Sequence, residues 1–197
     1  MKQRLLLPGP VDLDDETLKI LGGPITAHYG PEWSHDYNET RTNLRDIFRT
    51  AGEVYVLPGS GSAGIEAAIA SYLAPGQHLA VVCNGYFGQR LHDIAKGYGI
   101  HVLPIEFAPG QAAQVDVVRD ALRGTHVDAL AIVHAETSLC VMNPVRAIAA
   151  LCNALGIPIL VDAVTSLGGA ELRMDEWGID ICMSASQKSI AAPAGLA

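Results

Sequence analysis

The sequence predicts an α/β fold: a mostly parallel sheet with helices on both faces. Strand-like apolar runs alternate with helix-like runs along most of the 197 residues, and such alternation builds βαβ units. Hydrophobic residues make up 49% of the chain and charged ones only 17%, a balance that suits strands covered on both faces.

The elements follow in order. Pro8-Gly9-Pro10 reads as extended, Asp14 to Leu21 as a short helix, and Gly22 to Trp33 as irregular, with prolines breaking any long helix. Ser34 is the expected N-cap of the next helix, in which Tyr37, Leu44, Ile47 and Phe48 share a face. Strand-like runs occupy 53–57, 79–83, 101–106, 128–134, 158–162 and 179–183, and helix-like runs 62–73, 87–97, 114–123 and 144–155. Pro144 stands at a first-turn position, and Gly99, Gly124 and Gly156 follow helix ends. There are no internal repeats or low-complexity linkers. The division this predicts is an N-terminal arm, 1–33, and a large domain, 34–197.

Composition excludes several classes. A net charge of −8 argues against nucleic acid or an anionic membrane surface as partner. No apolar run reaches the length of a membrane span, and Met1 to Pro8 is too short for a secretion signal. Cys83, Cys140, Cys152 and Cys182 lack metal-ligand spacing, so reduced, buried thiols in a cytoplasmic protein are expected. His134-Ala135-Glu136 has the H-x-E of zinc deaminases, but no P-C-x-x-C follows. No metal is expected.

Three segments carry the chemistry. Gly59-Ser60-Gly61-Ser62-Ala63-Gly64 follows a strand-like run and opens a helix-like one. Glycines let backbone N–H groups approach an anion, serine hydroxyls donate to it, and a helix N-terminus adds partial positive charge. The segment also matches G-x-G-x-x-G, which in a dinucleotide site requires an acid after the next strand. Here that strand ends in Asn84-Gly85, so the segment argues for a phosphate and against NAD. Lys188, in Ser184-Ala185-Ser186-Gln187-Lys188, is of a type that forms an imine with a carbonyl. Asp162, at the end of Val161-Asp162-Ala163-Val164, is the kind of acid a pyridine nitrogen pairs with. Lysine, acid and phosphate cradle together read as a site for pyridoxal 5′-phosphate (PLP). All three fall after strands, where open α/β sheets collect ligands; so do Asn84 to Phe87 and His134 to Ser138.

With Asn84-Gly85-Tyr86-Phe87-Gly88-Gln89-Arg90, His134-Ala135-Glu136-Thr137-Ser138 and Val161 to Gly169 added, the chain resembles the class V aminotransferases of PLP fold type I. The resemblance is nearest to the serine–pyruvate and alanine–glyoxylate group. It runs from Leu6 to the end of the chain and implies a homodimer. The implied reaction moves an amino group from alanine or serine to glyoxylate or pyruvate. Lys188 would hold the cofactor as an aldimine and then shuttle the substrate proton. Asp162 would pair with the ring nitrogen, and Ser60, Gly61, Ser62 and Gln187 would hold the phosphate. Phe87 would stack on the ring, Thr137 would bond its hydroxyl, and Val164 would contact the opposite face. Phe87 read as a helix-start core residue and Thr137 as a turn residue are the structural alternatives. His28, in Ala27-His28-Tyr29-Gly30, lies where the family places a substrate-side loop, although a structural loop histidine fits equally.

Family members run to nearly twice this length. The resemblance therefore implies a large domain incomplete at its C-terminus, without the small domain, the arginine for the substrate carboxylate or the cross-subunit phosphate ligands. It also implies an antiparallel strand beginning near Gly195-Leu196-Ala197 and inserted between the first and sixth strands. Two other readings stand beside aminotransfer. One is a PLP lyase of the cysteine desulfurase kind, which usually has histidine where Gln187 stands. The other is a catalytically incomplete cofactor-binding fragment.

Overall fold

The computed structural model describes residues 5–197. In chain order the elements are α1 (Asp15–Leu21), α2 (Pro31–Phe48), α3 (Gly61–Tyr72), β1 (His78–Cys83), α4 (Tyr86–Gly97), β2 (His101–Glu106), α5 (Val115–Leu122), β3 (Ala129–Val133), β4 (Ala135–Glu136), β5 (Val141–Met142), α6 (Val145–Leu155), β6 (Ile159–Asp162), α7 (Met174–Trp177) and β7 (Ile181–Met183). Five strands form one parallel sheet in the order β2-β1-β3-β6-β7, and β4 and β5 form a small antiparallel pair.

Strand side chains alternate between two cores, as a period of two requires. Leu79 and Val81 of β1, with Ala129, Ala131 and Val133 of β3, face Ile65 and Ile69 of α3 and Leu91 and Ala95 of α4. Ala80, Val82, Leu130 and Ile132 point the other way, toward α5 and α6 through Val118, Leu122, Ile148 and Cys152. Phe48 and Trp177 join that second core. With both faces covered, β3 and β6 are buried along their whole length. In the register that matters most for the site, Val133 lies beside Asp162, and Asp162 beside Met183.

Several expectations need correction. Residues 53–57 join no sheet. Val54 is buried, and its O accepts from Arg41 Nε of α2 at 2.9 Å; the segment's main-chain bonds go to the end of the described chain, where Leu57 and Ala197 exchange N–H···O bonds of 2.8 and 2.9 Å and the nearby Gly59 N–H donates to Gly195 O at 2.7 Å. An antiparallel bridge, Pro58 to Leu196, marks the start of the strand expected there. The second helix starts at Pro31 behind Gly30, not at Ser34. Proline has no N–H to lose and a φ preset for the first turn, so it takes the start over a downstream serine. The boundary drawn between 33 and 34 therefore falls inside α2. Residues 1–4 of the expected arm lie outside the described residues. Cys140 is exposed, against the expectation of buried thiols, because it sits in the turn between β4 and β5; Cys152 is buried, and Cys83 and Cys182 are half-buried. The short helix is as expected, with Asp14 accepting from Thr17 N–H at 2.7 Å as its N-cap. Among the described residues no helix is long and apolar enough to cross a membrane.

Candidate functional site

The carboxyl edge of the sheet gathers most of the predicted residues. Asp162 ends β6 and is only 3% exposed. Its Oδ1 accepts the Val164 N–H at 2.9 Å. Burial pushes its pKa up to about 6; the Val164 N–H opposes that rise and the charge of Glu136 adds to it. The carboxylate thus lies in poor solvent without a cation beside it, an arrangement that favours a protonated or cationic partner.

The phosphate-type segment lies against the loop that follows this acid. Ser60 is the N-cap residue of α3, and its hydroxyl makes no capping bond. The first-turn N–H groups of a helix have no partner within the helix, so this end presents donors. Gly61 is required by close approach: a Cβ there would meet Val164 Cγ2 at 2.8 Å and Ala185 Cβ at 3.2 Å. One glycine therefore lets three loops converge: the start of α3, the loop after Asp162 and the loop leading to Lys188. Ser62 Oγ accepts from Arg90 Nε of α4 at 2.8 Å.

Lys188 is half-buried, and its Nζ donates to Gly9 O at 3.4 Å. The adjoining Val11 N–H donates to Gln187 O at 3.1 Å. A Cβ on Gly9 would run into the Lys188 side chain, so the Pro8-Gly9-Pro10 stretch, bent where an extended one was expected, lies over the lysine turn. From the other side, Ser189 Oγ donates to Thr165 O at 2.9 Å. Gln187 Oε1 is buried with no partner. A turn of that amide about its last torsion offers donors at the same position.

Phe87 is half-buried at the start of α4. It packs against the Ile65, Leu91 and Met183 core and stands edge-on to Tyr86 at 5.2 Å. Thr137 is half-buried in the turn after β4. His28 is exposed and meets Tyr29 edge-on at 5.6 Å. No contact between His28 and Lys188 or Asp162 occurs among the described residues.

Sequence reasoning missed Glu136. Its side chain is fully buried. Oε2 accepts the N–H groups of Phe87 and Gly88 at 3.0 Å each, and Oε1 accepts from Ser138 Oγ at 2.6 Å. Ser138 Oγ in turn accepts the Tyr86 N–H at 3.0 Å. The carboxylate caps α4 from another element and so fixes the backbone that carries Phe87 and Thr137. A negative charge at a helix N-terminus is also favourable. The sequence marks Glu136 only as part of His134-Ala135-Glu136-Thr137-Ser138, after an apolar run, a pattern that equally fits a surface turn. Glu136→Ala should destabilise the fold by roughly 2–4 kcal/mol, because buried N–H groups lose their acceptors and a cavity opens. Urea titration measures this; a loss below about 0.5 kcal/mol would mean that water replaces the carboxylate at no cost.

Several similar proteins are aminotransferases. Residues 23–197 match the profile of the family described as aminotransferase class-V. The chain is 37% identical to an alanine–glyoxylate aminotransferase of Callithrix jacchus, over 98% of this chain and 47% of that protein. It is 32% identical to an (S)-ureidoglycine–glyoxylate transaminase of Bacillus subtilis, again over 98% and 47%. A crystal structure of an alanine–glyoxylate aminotransferase from Nostoc sp. superposes with a TM-score of 0.94 at 34% identity, covering 100% of this chain and 52% of that one. A cysteine desulfurase of Thermococcus onnurineus shares only the fold, at 17% identity and a TM-score of 0.69 over 83% of this chain and 42% of that one. The chain spans about half the length of the curated relatives it matches. With its parallel sheet, its carboxyl-edge site and its profile match, the chain belongs to the class-V aminotransferase family.

Proposed function

We propose that this chain carries the cofactor-holding and proton-moving residues of a PLP-dependent aminotransferase. The reaction passes an amino group from a small amino acid, alanine or serine, to a 2-oxo acid such as glyoxylate or pyruvate. The observation that carries the reading is the convergence at Gly61, the start of α3, of the loop after Asp162, through Val164, and the loop leading to Lys188, through Ala185. The named activities of the similar proteins support glyoxylate as acceptor. No observation favours the desulfurase reading, and desulfurases are similar in fold alone.

The residues fit PLP on their own chemistry. Asp162 is a buried acid with raised proton affinity and no cation beside it, which a pyridinium nitrogen would answer. Among the described residues Gln187 leaves a buried polar atom unpaired, and the Ser60 hydroxyl at the start of α3 makes no capping bond. In this reading Ser60, Gly61, Ser62 and Gln187 hold the phosphate. Thr137 donates to the ring hydroxyl, and Phe87 and Val164 shield the two ring faces from water. Bound there, PLP supplies an electrophilic aldehyde and a ring that takes up the electron pair left at the substrate α-carbon. Lys188 Nζ holds the aldehyde carbon and carries the proton removed from the α-carbon. Asp162 keeps the proton on the ring nitrogen. Nothing in the surroundings of His28 supports a substrate role for it.

The reading extends to assembly and location. Leu6, Ile20, Ile25 and Tyr29 are 95%, 75%, 101% and 73% exposed. These apolar side chains of the arm, 1–33, call for a cover, and a second copy of the chain in a homodimer supplies one. The four cysteines are free, which fits a reducing cytoplasm.

The test uses the protein at the length its gene encodes, loaded with PLP. Alanine with glyoxylate should yield pyruvate and glycine in equal amounts. Failure of alanine, serine and aspartate alike to yield any 2-oxo acid would overturn the reading.

A further inference from the structure

At the opposite, amino-terminal edge of the sheet, the first residues of neighbouring strands bring imidazoles and a carboxylate together. Parallel pairing sets His78, the first residue of β1, beside His101, the first residue of β2. Their rings lie 5.0 Å apart. Asp128, just before β3, is tied to β1 twice. Its own N–H donates to His78 O at 2.8 Å, and its Oδ2 accepts the His78 N–H at 2.7 Å. That second bond is the main reason its carboxyl titrates below the usual carboxylate range. Its other oxygen, Oδ1, faces His126 Nε2 at 3.4 Å, while His78 Nδ1 stands 3.9 Å from Oδ2.

We propose that His78, His126 and Asp128 form a binding site for a borderline divalent metal ion of the Zn²⁺ type, distinct from the site at the carboxyl edge. Two imidazoles and a carboxylate are a ligand set that suits such ions, with water completing a tetrahedron. Bonds of about 2.0–2.1 Å in that geometry place ligand atoms roughly 3.3–3.4 Å apart. The His126–Asp128 separation already meets this at 3.4 Å, and all three ligand atoms lie within 4.8 Å of one another. His78 and His126 have side chains 49% and 78% exposed, so small side-chain rotations close the remaining distance without moving the sheet. Asp128 is already held in place by the His78 N–H, so little ordering is left to be done on binding. His101, beside His78, is within reach as a flanking group.

The argument is independent of the aminotransferase reading, and so is its test. Zn²⁺ is titrated by calorimetry into the metal-stripped full chain, without added cofactor and in a buffer free of phosphate and chelators. One site should be seen. His126→Ala, at an exposed residue that meets Asp128 and the edge of the His78 ring, should weaken it at least ~10-fold without loss of folded signal by circular dichroism. Asp128→Asn keeps an acceptor for the His78 N–H and removes the charge; it should weaken binding to a similar degree. Lys188→Ala, at the far edge, should leave Zn²⁺ affinity unchanged. No site tighter than roughly 1 mM in the unaltered chain, or an affinity within twofold of it in the folded His78→Ala/His126→Ala double variant, would overturn the proposal.

Discussion

Replacing Lys188 with alanine is expected to lower amino transfer by at least ~10³-fold while leaving PLP able to bind. The substitution removes two functions at once: the amine that holds the aldehyde, and the base that carries the α-proton, itself worth about 10²–10⁴-fold. It leaves the phosphate-type cradle untouched. Gly61 remains wedged against Val164 and Ala185, and Gln187 keeps its main-chain bond from Val11. Borohydride treatment followed by mass spectrometry should therefore fix one cofactor to the unaltered chain and none to the variant. Equilibrium dialysis should still find cofactor on both. Undiminished turnover in the variant would remove Lys188 from the chemistry.

Asp162→Asn is expected to raise stability without cofactor and to lower activity. The carboxyl binds its proton more tightly in the folded chain than in the unfolded one, its pKa rising from 3.8 to about 6 through burial. The sign follows: below about pH 4 both states are protonated and no penalty exists. As pH rises through the window from 3.8 to about 6, the unfolded chain loses its proton first and the native state loses stability. At neutral pH the full penalty, roughly 3 kcal/mol, is in force. Asparagine escapes it and still offers an oxygen to the Val164 N–H. Thermal melts without PLP should show the variant more stable at pH 8 and equal to the parent near pH 4. With PLP present the ranking should narrow or invert, since the parent regains what the pyridinium returns to it. Amino transfer should fall at least 10²-fold, the scale of losing a preorganised charge partner. A variant with neither gain at pH 8 nor loss in rate would make Asp162 a turn residue and no more.

Much of this was legible before any coordinates, because burial writes itself into short apolar runs. Residues 79–83, 101–106 and 158–162 became strands of the sheet, and Gly156 closes α6 in the left-handed conformation that favours glycine. The position of Asp162 and Lys188 at the carboxyl edge was legible too, since one ends an apolar strand and the other stands in the loop after one. What stayed hidden depends on partners distant in sequence. Residues 53–57 carry strand-like side chains, but their backbone partner is Gly195 to Ala197, so they form no regular ladder. Glu136 looks like a surface acid until the start of α4 is laid over it. The β4–β5 pair is too short to produce any periodicity. The histidines at the amino edge lie far apart along the chain, at 78, 101 and 126; only the register of parallel strands brings them together.

The bond from Lys188 to Gly9 spans 179 positions, and it has a consequence for timing. Closing so long a loop costs chain entropy that only a largely formed body can offset. During synthesis the start of α3 leaves the ribosome early, but the walls that complete it, Val164 and Ala185, come more than a hundred residues later. The nascent chain can build β1, β2 and β3 well before it owns a complete pocket. Cofactor capture is then a late act of folding, and the chain must bury Asp162 before the ligand that makes that burial tolerable can arrive.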